Sequence, residues 1–118
     1  MSSITADEYT DALNGIEITD NQKQMLKAHF EALNRSITYT ELAMAAGSDD
    51  HRAANRQYGQ LGRNLGEKLD FQFSESEKRS GKPFYSSSLG MKNTYTNGDF
   101  QLVMHHELAK AIEGLNWF

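Results

Sequence analysis

The sequence predicts a mainly α chain with a small β-hairpin, an α+β arrangement, and three observations carry that expectation. Threonine capping signals open two of the apolar-periodic segments, Thr19 with Gln22 and Thr38 with Glu41. Apolar residues recur at helical spacing over residues 49–69. After Leu69 the period changes, and short alternating segments separated by turn formers take over. At 118 residues the chain fits one domain, 1–118, with a modest core and with residues 1–18 as an acidic helical extension.

The first helix is expected from about Thr5 to Asn14, with Tyr9, Ala12, Leu13 and Ile16 at helical spacing and Gly15 at its end. The second starts at Thr19, where TDNQ forms a capping box. It turns Met25, Leu26, His29, Phe30 and Leu33 inward and ends at Asn34. His29 stands alone beside Phe30, so it reads as a packing or surface residue rather than a ligand.

The stretch Ile37 to Leu69 reads as two helices around a tight turn. Thr38 caps the first helix, about two and a half turns long; Tyr39, Leu42, Ala43 and Ala46 share one side, and Gly47 ends it as a residue with positive φ. Ser48 or Asp49 is the expected cap of the second. There Ala54, Tyr58, Leu61, Leu65 and Leu69 fall within roughly an 80° arc and form a buried stripe. Arg52, Asn55, Arg56, Gly59 and Arg63 span roughly 100° on the other side, and Gln60 is counted with them. Such a face can enter a major groove, offering arginine to guanine edges or phosphates and asparagine to adenine; the plainer alternative is a solvated helix face. Gly59, Gly62 and Gly66 weaken this helix by about 1 kcal/mol each relative to alanine. Close packing of another backbone or close approach of a phosphate backbone would use the missing side chains; otherwise the helix bends or ends near Gly66.

Beyond Leu69, FQF at 71–73 alternates and SESEKRSGKP at 74–83 is a polar loop. Phe84, Tyr85 and the SSSL run, a loop over 93–99 containing Asn97-Gly98, and FQLVM at 100–104 then predict a β-hairpin wing, with Phe100, Leu102 and Met104 on one side. Lys78, Arg79, Lys82 and Lys92 surround these loops, where a wing would meet phosphates, unless they are simply solvated. The closing segment HHELAKAIEGLNWF puts Leu108, Ala111, Ile112 and Leu115 on one helical face. Trp117 and Phe118 are expected either to fold back on the core or to dock a partner or a second copy. No metal site is expected at His105-His106, because adjacent helical residues point about 100° apart and no HExxH spacing completes a ligand set.

Helix, helix-turn-helix, two strands and a closing helix together describe a winged helix-turn-helix with extra N-terminal and C-terminal helices. The segments ITYTELAMAAG and HRAANRQYGQLGR also resemble the helix-turn-helix of the alkylguanine-DNA alkyltransferase family and its alkyltransferase-like relatives, over about a quarter of the chain. That family's Pro-Cys-His-Arg motif has no counterpart, since Pro83 is followed by FYSSS, so the resemblance implies a mode of DNA approach without alkyl transfer. It places Tyr39 near the backbone and Arg52, Asn55 and Arg56 towards the groove. The plan is also similar to small winged-helix modules of bacterial and phage regulatory or defence systems.

Composition narrows the chemistry. Zero cysteines exclude disulfides, thiolate metal sites and a cysteine nucleophile. The Ser86-Ser87-Ser88 run lacks a GxSxG context, and GQLGRNLG has the wrong setting for a phosphate loop, so no enzyme and no cofactor are expected. No run of about 18 apolar residues and no signal segment occur, which predicts a soluble cytoplasmic protein with no membrane partner. The net charge of −4 opposes strong nucleic-acid binding, but its distribution is uneven. Residues 1–20 hold five acidic side chains and no lysine or arginine, whereas residues 21–92 hold eleven Lys/Arg against eight Asp/Glu. The expected partner is double-stranded DNA, bound weakly and salt-sensitively. The alternative is a small acidic inhibitor or adaptor acting on a nucleic-acid enzyme.

Overall fold

A computed structural model describes residues 4–48, 50–75, 83–92 and 101–118. Helices α1 (Ala6–Asn14), α2 (Asp20–Glu31) and α3 (Tyr39–Ala45) each begin at a threonine whose hydroxyl accepts an N–H from the third helical residue, while that residue's side chain takes the threonine's own amide. The pairs are Thr5 with Glu8, Thr19 with Gln22 and Thr38 with Glu41. Each box satisfies two amides that the first turn leaves unpaired.

Two expectations are corrected around α2 and α3. The second helix stops at Glu31, and a 3-10 turn over Leu33–Arg35 follows, in which Asn34 and Arg35 take φ of 56° and 57°. These left-handed residues swing the chain out of helical register, so Leu33, expected inward, is 86 % exposed. The next residues form strand β1 (Ser36–Thr38), so Ile37 is not helical. Three residues carry no readable alternation, and a distant partner decides this strand. Helix α3, at seven residues, is half a turn shorter than expected.

Gly47, with φ of 74°, closes α3, and the Ser48 amide reaches back to the Ala43 carbonyl at 2.9 Å. Helix α4 (His51–Leu69) is capped by Asp50 rather than by Ser48, and Asp49 lies outside the described residues. Ser48 spends its hydroxyl on the Asp50 amide at 3.0 Å, and the Asp50 carboxylate accepts from the Arg52 and Ala53 amides at 3.0 and 3.4 Å. α4 runs unbroken through all three glycines and ends at left-handed Asp70, so it neither bends off nor stops at Gly66.

The expected hairpin is β4 (Gly90–Lys92) with β5 (Gln101–Met104), antiparallel, with Met91 opposite Val103. Its first strand lies later than the sequence suggests. Pro83–Phe84 instead forms a short strand, β3, paired with β2 (Ser74–Glu75), and Tyr85–Ser88 is a 3-10 turn. Phe100 and the 93–99 loop lie outside the described residues. β5 also pairs with β1, Ile37 opposite Leu102, giving a three-stranded sheet in the order β1-β5-β4. Helix α5 (His106–Leu115) closes the chain. Trp117 folds back on the core under Lys23, whose ammonium lies 5.0 Å from its ring centroid, and Phe118 leans on Phe30.

The core gathers Met25 and Leu26 of α2, Leu42 of α3, Tyr58, Leu61 and Leu65 of α4, Leu102 of β5 and Leu108 and Ile112 of α5. The expected stripe on α4 is buried at Ala54, Tyr58, Leu61 and Leu65, with Leu69 only partly covered. The 3-10 turn lies against the same helix. Ser88 Oγ donates to the Gly62 carbonyl at 2.6 Å, Tyr9 Oη donates to the Ser88 carbonyl at 2.8 Å, and Ser87 Oγ donates to the Phe84 carbonyl at 2.6 Å. A Cβ on Gly62 would stand 2.4 Å from the Tyr85 carbonyl oxygen, so close backbone packing is what this glycine serves. Gly62→Ala is therefore expected to lower stability by about 1–3 kcal/mol despite alanine's better helix propensity, read as a fall in the denaturant midpoint.

Candidate nucleic-acid interface

Because α4 commits one side to the core, its other side is fixed in space. Arg52, Asn55, Arg56, Gln60 and Arg63 all lie on its exposed surface, as the spacing requires. Their states differ along the helix. Among the described residues, Arg52 and Arg56 have no ion-pair or side-chain hydrogen-bond partner, and both guanidinium groups are free to meet an incoming anion. Gln60 donates to Asn64 Oδ1 at 2.9 Å. Arg63 is held twice, by Glu67 Oε2 at 3.5 Å and by the Tyr85 ring, whose centroid lies 5.2 Å from the guanidinium carbon. The Glu67 partner follows from i,i+4 spacing and was readable in the sequence; the Tyr85 stack joins residues far apart in the chain and was not.

The N-terminus of α4 offers no vacant anion site. The Asp50 carboxylate already fills the place that a phosphate would take against the first-turn amides. Any anion meeting this helix does so through side chains.

Tyr39 lies elsewhere. It is partly buried, it packs against the core, and its phenol is hydrogen-bonded with the Ser86 side chain. Burial pushes its pKa up to about 12. Lys92 is exposed at the end of β4. Lys78, Arg79 and Lys82 lie outside the described residues. The structure thus brings five of the ten candidates together on α4.

Sequence spacing missed the group that orients this helix. His29 is fully buried, and its two ring nitrogens join α4 to the sheet. Nε2 faces the Leu102 carbonyl oxygen at 2.8 Å, so Nε2 carries the proton and donates. Nδ1 then accepts from the Tyr58 hydroxyl at 2.6 Å. Burial of the ring pushes its pKa down to about 4, against the backbone hydrogen bonds that favour the charged form and with a smaller electrostatic contribution from neighbouring Arg35. Burial likewise holds the Tyr58 phenol well above its ordinary value.

His105 Nε2 lies 2.7 Å from the Ser87 carbonyl oxygen, while His106 is exposed. Among the described residues, no three His, Asp or Glu side chains come together as metal ligands would, and no helix is long and apolar enough to cross a membrane. No protein-family model, curated protein or solved structure matches the chain.

The sign of the pH effect follows from His29. The unfolded imidazole titrates near pH 6.5 and the folded one near 4, so as pH falls through this window the unfolded state takes up the proton first. Stability held above pH 6.5 is lost down to pH 4, by about 3 kcal/mol at full development. His29→Gln is expected to be less stable at pH 7 and to show a flatter decline between these limits, as measured by thermal melts across the range.

Proposed function

We propose that the chain is a non-catalytic winged-helix protein that binds double-stranded DNA, with α4 in the major groove. The observation that carries this reading is the pair Arg52 and Arg56, without an ion-pair or side-chain hydrogen-bond partner among the described residues, beside Asn55 on the N-terminal half of a helix whose other side is buried. In helix-turn-helix proteins the N-terminal residues of the recognition helix contact base edges. The topology supports the same reading: a strand precedes α3 and α4, a hairpin follows them, and the first strand pairs with the hairpin's second, giving the order β1-β5-β4. Lys92 on β4 stands where a wing would touch the backbone. The proposed setting is bacterial or phage and cytoplasmic.

Three arginines on phosphates give a log–log salt slope of about −2.7, so affinity for duplex DNA should fall roughly 40-fold between about 50 and 200 mM salt. A fluorescence titration measures this, and absence of binding at the lower salt would sink the proposal. Arg56→Ala is expected to weaken binding about tenfold with an unchanged melting temperature. Arg63→Ala should weaken it too but also lower the melting temperature slightly, since that side chain braces Glu67 and Tyr85.

A second reading, a small acidic protein that engages a nucleic-acid enzyme, draws on the exposed Asp7, Glu8 and Asp11 of α1. The packing of Trp117 against the core weakens one of its motives, the apolar Trp117-Phe118 end, of which Phe118 stays exposed. Co-purification from a native host with nuclease treatment separates the two, because a protein partner that survives the nuclease favours the second.

A further inference from the structure

Helix α4 carries three interior glycines, and the protein itself uses two of them. A Cβ on Gly62 would meet the Tyr85 backbone at 2.4 Å, and one on Gly66 would meet the Phe73 ring at 2.3 Å. Gly59 differs from both. Among the described residues, and apart from its two chain neighbours and the helix's own backbone, no atom lies within 4 Å of the place its Cβ would take. An interior glycine with no neighbour only weakens a helix, and no described residue packs into the space that this one leaves. Gly114 of α5 is equally open, but it stands in the last turn of its helix, where left-handed Asn116 already ends the element.

Gly59 also occupies a particular place on the exposed face. Asn55, Gly59 and Arg63 follow one another at four-residue spacing and so form one row, with Arg52 and Arg56 alongside. A helix with its side chains is about 10–12 Å across and the major groove about 12 Å wide, so one side chain decides how deep the helix seats. Asparagine is short. Its amide reaches a base edge only if the backbone one turn on comes close, whereas arginine reaches from further away.

We infer that Gly59 sets the depth at which α4 enters the major groove, and that Asn55 there reads an adenine through paired hydrogen bonds to N6 and N7. Sequence selectivity then resides in the Asn55–Gly59 pair, and the arginines supply general affinity. The inference rests on the reading of α4 as a duplex-DNA helix.

The test is selection from a random-sequence duplex pool by the wild type, Gly59→Ala, Asn55→Ala and, as a control, Gly114→Ala, with melting temperatures and binding of the unselected pool measured in parallel. The wild type and Gly114→Ala should enrich the same adenine-containing sequence. Gly59→Ala should melt higher than the wild type yet bind the selected duplex about tenfold more weakly, with unselected-pool binding changed by less than about threefold. Replacing the selected adenine by 7-deazaadenine should weaken the wild type by a similar factor and leave Asn55→Ala unaffected.

Enrichment of the same sequence by Gly59→Ala at unchanged affinity would overturn the inference. So would a lower melting temperature in that variant, which would show that the protein itself needs the glycine. Wild-type binding of the pool without any enriched sequence overturns the inference alone, whereas no pool binding at low salt removes the DNA reading and the inference with it.

Discussion

The structure hangs on one buried imidazole. His29 of α2 takes a proton donor from α4 on one nitrogen and gives its own proton to β5 on the other, so three elements are fixed relative to one another by a single planar ring. The Leu102 carbonyl only accepts, so the neutral ring has one tautomer here, and a charged ring would make the Tyr58 oxygen accept from Nδ1 and take away the acceptor of its own O–H. Apolar contacts around it tolerate small slips, but a pair of hydrogen bonds in a dry core does not. The angle at which α4 presents its outer face to solvent is therefore set from inside by a residue that never reaches the surface.

The helices were legible because their signals are local. Capping boxes at Thr19 and Thr38, the positive-φ glycine at Gly47 and the stripe from Ala54 to Leu65 each depend on residues within a turn or two of one another. The strand at Ser36–Thr38 and the 3-10 turn at Tyr85–Ser88 depend on partners 63 to 67 residues away for β1 and 26 away for Ser88, and single-sequence periodicity does not see those. Three serines in a row look like loop; here all three are buried, because carbonyls of α4 and of the turn itself accept their hydroxyls or the neighbouring side chains do. Asp50 in place of Ser48 is a smaller displacement with the same origin: adjacent cap-competent side chains, and a turn that directs the Ser48 hydroxyl to the Asp50 amide.

The candidate face was legible as a face, but not in its gradation. Spacing alone put Arg52, Arg56 and Arg63 together as equals. Packing separates them, leaving the first two without a partner among the described residues and drawing the third toward Glu67 and Tyr85. It also moves Tyr39 inward to Ser86, a contact invisible to any helical wheel. The glycines divide in the same way, and the division is informative because identical residues on one helix meet three different surroundings.

The 3-10 turn carries a last consequence, for the order in which the chain assembles. Ser88 bonds to a carbonyl of α4 lying 26 residues earlier, and the Ser88 carbonyl in turn receives the Tyr9 hydroxyl, 79 residues away. Neither bond can form until the long helix exists and α1 has come alongside it. Local helices close fast and distant pairings close slowly, so the helical half is the scaffold on which the hairpin condenses last. A nascent chain would hold α4 before its sheet, and the final step of folding would be the seating of a polar knot in an otherwise finished core.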